Sequence, residues 1–302
     1  MIEEISHIGE FGLIQVLTKG LLVGKNVKVG VGDDTAVIAG TSREDMLFTT
    51  DMMVEGGHFT KKMSPFSIGH KALACNISDI AAMGGVPTFG VVSLGVPGNL
   101  DIAFVKDIYA GINRLAEKFN VRIVGGDTVK SARIIINIAL LGKVAKGQAV
   151  LRSGAKKGDA VFVTGPLGRS FKTEKHLQFV PRVKEAQFLM KNCRPAAMID
   201  ISDGLAADLG HILKQSNVGA QLHEEAIPMS AEAGIKNALY DGEDFELLFT
   251  VPERRAEKVQ QNKKYSFYKI GKIVEKRKGL FLLDKQGNKE RISLKGYDHF
   301  AN

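Results

Sequence analysis

The stretch Pro65–Gly85, PFSIGHKALACNISDIAAMGG, decides how the rest of the chain is read. Pro65 suits the first turn of a helix, where its missing N–H is no loss. The residues that follow are Ala-rich and apolar, so the helix is expected to be buried. Gly84 and Gly85 stop it. One residue does not fit a plain core helix. Asp79 would carry a carboxylate into apolar surroundings, and it needs a partner or a metal ion to offset desolvation.

Working outward, residues 2–22 read as an amphipathic helix and 27–31 as a strand. A Gly32-Asp33-Asp34 turn and a short strand over 35–38 follow. Residues 46–50 form a strand expected to end on Asp51. Residues 88–96 are β-rich. Residues 101–119 carry helical spacing, with Phe104, Ile108, Ile112, Leu115 and Phe119 on one stripe. A strand over 121–124 should end in Gly125-Gly126-Asp127-Thr128, and 134–144 is a long β run. Then the chain turns charged and glycine-rich, from Lys146 to Asp159, which sets a domain boundary near residue 146. The second half alternates strands (160–164, 246–251, 265–274, 279–283) with helices (181–192, 204–216). The fold class is α/β of the α+β type, with two mixed domains, 1–145 and 146–302.

The 302 residues carry a net charge of +8. Such a balance invites a nucleic-acid partner. The last 50 residues hold 14 Lys/Arg against 6 Asp/Glu, so the whole excess lies there and the first 252 residues are balanced. The aromatics of the basic stretch alternate with apolar positions, as packing residues do, and its lysines read as a solvated face. A nucleic-acid partner is therefore not expected. The two cysteines, Cys75 and Cys193, are far apart and fit a reducing compartment. No apolar run reaches membrane-spanning length. The N-terminal residues carry acids where a signal peptide needs a basic region. A cytoplasmic location is expected, with no membrane partner.

The chemical signal is a repeated pattern. Carboxylates stand beside glycine or hydroxyl residues in GVGDDTAV (Asp33, Asp34), FTTDMMVEGGHF (Asp51), CNISDIAAMGG (Asp79), VGGDTVKS (Asp127), MIDISDGL (Asp200, Asp203) and DGEDFELL (Glu243, Asp244). Taken singly, a turn aspartate bonding its own backbone explains Asp33, Asp34 or Asp127, and helix capping explains Asp203. Taken together, they suit a hard cation such as Mg²⁺ shared with phosphate groups. His58 alone reads as structural. No zinc pairing, Walker loop, nucleophile elbow or protein-kinase signature is present.

In this order the motifs resemble the thiamine-monophosphate kinase family, within the ATP-binding superfamily that includes aminoimidazole ribonucleotide synthetase. The resemblance runs from Gly9-Glu10-Phe11 to the KGYDHF motif at 295–300. It implies ATP-dependent phosphorylation of thiamine monophosphate to thiamine diphosphate. It also implies a homodimer formed through the N-terminal domains. It assigns Asp34, Thr49, Thr50, Asp51, Asp79, Asp127, Asp200 and Asp203 to Mg²⁺. Tyr109, Gly126, Asp127, Arg152 and Ser202 are assigned to ATP, and His58, Glu243 and Tyr297 to thiamine monophosphate. Asp79, Asp127 and Asp203 carry the catalytic role. Two departures stand out. Asp241 replaces a Gly usual before Gly-Glu-Asp, and residues 169–175 are shorter and more charged than the usual Ala/Gly-rich helix, which points to a mobile loop. Another activity of the superfamily, or a nucleic-acid module built on the basic stretch, would be the rival functions. A selenophosphate synthetase would want a reactive Cys in the N-terminal glycine-rich segment, where this chain has none.

Overall fold

In the computed structural model, residues 5–297 and Phe300 are described. Two sheets organise the chain. The first half runs α1 (Ile5–Thr18), β1 (Val27–Val29), β2 (Ala36–Ile38), β3 (Glu44–Val54), α2 (Pro65–Ala82), β4 (Val86–Val96), α3 (Ile102–Phe119), β5 (Arg122–Lys130) and β6 (Ile135–Ala145). Its strands pair in the order β1-β2-β3-β6-β4-β5, antiparallel except for β4 with β5.

The second half continues with β7 (Ala160–Val163), α4 (Lys175–Gln178), α5 (Val183–Asn192), β8 (Ala197–Asp200), α6 (Leu205–Ser216) and β9 (Val218–His223). Then come α7 (Ile235–Tyr240), β10 (Leu247–Val251), α8 (Glu253–Gln260), β11 (Tyr268–Glu275), β12 (Leu280–Leu283) and β13 (Lys289–Arg291). The order is β13-β12-β9-β11-β7-β10-β8, with only β12 and β9 parallel. The mixed two-sheet α/β architecture is as expected.

α2 is the centre of the packing. Ser64 caps its N-terminus by accepting the Ser67 N–H, Pro65 follows, and Gly84 leaves it with φ 72°. The helix is buried nearly all round because it packs on β3, β4 and β6, on α3, and on α5 and β8 of the second half. One apolar core therefore runs from Leu47, Ile77 and Ile138 into Phe162, Leu189 and Phe249 of the second sheet. A second core fills the other face of that sheet under α6. The aromatics of the basic stretch pack only in part as expected: Phe281 is buried and Phe267 meets Phe188 and Phe249 at ring-centroid distances of 5.9 and 5.7 Å, but Tyr268 and Tyr297 are exposed.

The structure corrects four expectations. β3 runs on to Val54 and β5 to Lys130, so Asp51 and Asp127 lie inside strands and not at their ends. In each case the partner strand extends the ladder past the aspartate. α1 is no continuous helix over 2–22. It kinks at Gly9 and stops at Thr18, and residues 1–4 lie outside the described set. Residues 169–175 are no free loop, because Ser170 is buried and bonded to Asp244. The elements β8, β9, β13, α4, α7 and α8 are not anticipated by the periodicity of the sequence.

α2 and α3 cross at two glycines. A Cβ on Gly69 would stand 1.9 Å from the Ile108 carbonyl oxygen, and one on Gly111 1.9 Å from that of Phe66. Backbone cannot yield as a side chain tip does. Gly69→Ala or Gly111→Ala should therefore destabilise the fold by about 1–3 kcal/mol or more. Lowered urea midpoints would register this, whereas an unchanged midpoint for both would mean that the helices can separate freely.

Candidate functional site

A cavity of about 390 Å³ opens where the two halves meet. Local periodicity explains what lines it. On β3, side chains alternate between faces. Thr49 and Asp51 share the inward face with Leu47 and Met53, whereas Thr50 shares the outward face with Phe48 and Met52. On α2, Lys71, Cys75 and Asp79 are spaced by four, so one stripe of the helix reaches the cavity. The turn after β1 supplies Asp33 and Asp34. β8 ends on Asp200, and the following turn carries Ser202 and Asp203.

Hydrogen bonds fix these groups across the halves. The Thr49 hydroxyl donates to Asp79 Oδ2 at 2.6 Å. Ser78 of α2 donates to Asp200 Oδ2 at 2.5 Å. Arg152 Nη2 donates to Asp34 Oδ1 at 2.8 Å, and the Arg152 backbone N–H to Asp33 Oδ1 at 3.1 Å. Asn76 accepts the Asp51 N–H at 3.2 Å. His58 Nδ1 accepts the Val54 N–H, which leaves the ring proton on Nε2. The Glu243 N–H donates to the Ser202 carbonyl at 2.6 Å and the Tyr297 N–H to that of Asp203 at 3.1 Å. These two bonds draw the DGED turn and the C-terminal segment to the MIDISDGL turn. Glu243 and Phe245 hold φ of 56° and 50°, in the left-handed region that non-glycine residues seldom adopt.

Asp34, Asp79 and Asp200 each offer a carboxylate oxygen within 4.8 Å of the others. Burial raises all three. For Asp79 and Asp200 the charge of neighbouring carboxylates adds to it. The Asp200 carboxyl rises to about 7, and Asp79 well above the usual range. The Asp34 carboxyl is also raised by burial, against the pull of Arg152. Burial lifts Asp51 to about 6, against a hydrogen bond with Asp79. Asp34 Oδ2 is buried without a hydrogen-bond partner. A divalent cation fits this donor set, since it would satisfy that oxygen and relieve the repulsion.

Thus Asp34, Thr49, Thr50, Asp51, Asp79, Arg152, Asp200, Ser202, Asp203, His58, Glu243 and Tyr297 all border one cavity. The Thr50 hydroxyl, however, donates to Asn137 Oδ1 on the outward face. Tyr109, Gly126 and Asp127 do not border it. Tyr109 sits on α3, and Gly126 and Asp127 on β5 at the sheet edge, where Asp127 accepts its neighbour's N–H. Asp298 and His299 of the KGYDHF motif lie outside the described residues. Among the cavity residues that escaped sequence reasoning are Lys71, Phe171, Asp208 and His211. The four-residue spacing from Asp79 could have found Lys71. Asp208 reads as a surface helix residue, yet it is buried and accepts the N–H groups of Asp203 and Gly204 at 3.1 Å. Asp244 is structural, since it accepts from Gly168 and Ser170.

Residues 32–144 match the AIR synthase related protein, N-terminal domain, and residues 149–283 its C-terminal domain. The thiamine-monophosphate kinase of Bacillus subtilis (strain 168) is 36% identical, over 96% of this chain and 99% of its own length. That of Aquifex aeolicus (strain VF5) is 34% identical over 98% and 99%. The solved structure of AaThiL complexed with AMPPCP and TMP is 33% identical, covers 99% of both chains, and superposes with a TM-score of 0.86.

Carboxyls raised to about 6 and 7 hold protons that a cation must displace. The gain in melting temperature from Mg²⁺ over chelator should therefore grow from pH 5.5 to pH 7.5. Asp200→Asn should flatten that growth. A gain independent of pH would show that these carboxyls do not bind the ion.

Proposed function

The chain belongs to the thiamine-monophosphate kinase family of AIR synthase related proteins, and we propose that its cavity transfers the terminal phosphoryl group of ATP to thiamine monophosphate. The products are thiamine diphosphate and ADP. The observation that carries this reading is the convergence of Asp34, Asp51, Asp79 and Asp200, from four separate elements, on one cavity beside a buried arginine.

The nucleophile is a phosphate oxygen of thiamine monophosphate. It is already anionic, so no strong general base is needed. The barrier is the repulsion between two phosphate groups, and positioning with charge neutralisation lowers it. Mg²⁺, held by Asp34, Asp51, Asp79, Asp200 and Asp203 with Thr49 alongside, would supply charge neutralisation at the phosphates, and Asp127 would join it only from a second copy. Arg152 clamps the nucleotide phosphates. Burial disfavours its charge, but Asp34 beside it more than restores it. Ser202 contacts the nucleotide. His58, Glu243 and Tyr297 bind the thiamine end. Transfer is direct, without a phosphoenzyme.

Residues 1–145 form the dimerising and ATP-binding domain, and residues 146–302 complete the site. The outward face of the first sheet exposes Met46, Phe48, Met52, Phe89 and Val91, with Val124 and Val129 on the edge strand β5. A contiguous apolar surface of this kind favours association. A second copy seated there accounts for Tyr109, Gly126 and Asp127, which then serve the nucleotide of the partner's site. Among the described residues no helix is long and apolar enough to cross a membrane. With its biosynthetic chemistry and two buried free cysteines, the chain is assigned to the cytoplasm.

ADP release from ATP and Mg²⁺ should be stimulated by thiamine monophosphate and not by thiamine or aminoimidazole precursors. Asp79→Asn should slow turnover on the order of 10²-fold. A labelled phosphoprotein on the productive path would overturn direct transfer.

Asp127→Asn should be slowed as strongly as Asp79→Asn, and mixing the two variants should restore activity, because each mixed dimer regains one intact site. No recovery after subunit exchange would place Asp127 in its own chain's site.

A further inference from the structure

Phe171 lies between β7 and α4, in the segment that departs from the family pattern. Its neighbours are pinned. The Gly168 N–H and the Ser170 hydroxyl donate to Asp244 at 2.8 and 2.9 Å, and the Arg169 N–H donates to Asp241 at 2.9 Å. Ser170 and Asp244 are fully buried. Held on one side by these bonds and on the other by α4, Phe171 borders the cavity and stays 45% exposed. The Lys71 ammonium lies 5.5 Å from the ring centroid, and the His176 ring lies 4.3 Å away. Lys71 is itself buried, paired with Glu243, and donates to the His58 carbonyl. The lysine's charge is thus answered by Glu243, and the ring adds a flat apolar wall beside that carboxylate.

We propose that Phe171 is a specificity-determining residue, the platform on which the flat heterocycle of the substrate stacks, with Lys71 holding Glu243 at its edge. This rests on the kinase reading above. That reading directs the substrate's phosphate to the carboxylate cluster, so its rings must lie along another wall. The wall with Phe171 and Glu243 offers what such rings need: a π-face for a flat or cationic heterocycle and an acceptor for an amino group. The buried anchors Ser170 and Asp244 make the ring a preorganised surface and not a loop that must be ordered on binding.

Phe171→Ala should raise the KM for thiamine monophosphate about tenfold and leave the KM for ATP unchanged. Phe171→Trp should return it toward the wild-type value. Inhibition by thiamine, which keeps the rings and lacks the phosphate, should weaken in parallel, and inhibition by inorganic phosphate should not. An unchanged KM for thiamine monophosphate in the alanine variant would overturn the proposal. So would a joint rise of both KM values with a lowered melting temperature, which would assign Phe171 to loop structure alone. If the wild-type chain releases no ADP in response to thiamine monophosphate, the kinase reading fails, and the platform falls with it.

Discussion

Four carboxylates, Asp34 and Asp200 buried and Asp51 and Asp79 half-buried, stand together at the meeting of two sheets. Asp34, Asp51, Asp79 and Asp200 repel one another, and burial makes each charge costlier still. A fold does not keep such a group for stability. An apolar set of the same volume would pack at least as well. The cluster stays because the surrounding structure over-determines it. β3 is held between β2 and β6, and α2 is buried nearly all round. The Thr49 and Ser78 hydroxyls each hold one member, and Arg152 holds another. A divalent cation would relieve that repulsion and satisfy the unpartnered Asp34 Oδ2.

The same constraint explains why α2 is buried nearly all round. It touches both halves along its length. Its stripe of Lys71, Cys75 and Asp79 faces the cavity, and its remaining faces fill the common core. Glycines at the α2–α3 crossing let the backbones approach without side chains between them. Cys75, in the same stripe, is kept protonated by burial and by the charges of Asp51 and Glu243 around it, so it contributes packing and not a thiolate.

A second buried acidic network lies beside the DGED turn. Glu246 is fully buried, but Arg182 grips it with two hydrogen bonds of 2.7 and 2.8 Å, and Lys175 and Thr164 add two more contacts. Burial works against its charge, yet these partners keep its carboxyl below the usual range. Unlike the carboxylates of the cavity, this group is fully answered. Together with Asp244 it ties residues 165–182 to the DGED turn. The opposite treatment of two acidic sets, one satisfied and one left in repulsion, separates scaffold from site.

Much of this architecture is legible in the order of residues. The helix over 65–83 with its Gly-Gly stop, the long strands of the first half and the carboxylate-bearing turns all follow from local periodicity and turn chemistry. The +8 charge lies in the last 50 residues, where Phe267 and Phe281 pack as expected while Tyr268 and Tyr297 stay exposed. The short strands β8 and β13 are harder to read, because so few residues carry little period. Asp208 and Phe171 give no local signal, since their roles come from partners distant in sequence. The amino-acid order by itself determined which residues could carry charge, turn or bury a face, because those properties act over a few neighbours. Only the tertiary structure decided that Asp34, Asp51, Asp79 and Asp200 meet, that Thr50 faces away from Thr49, and that Tyr109 and Asp127 lie apart from the cavity. Those outcomes depend on strand order and helix packing, which are settled by contacts between segments that the chain separates by tens of residues.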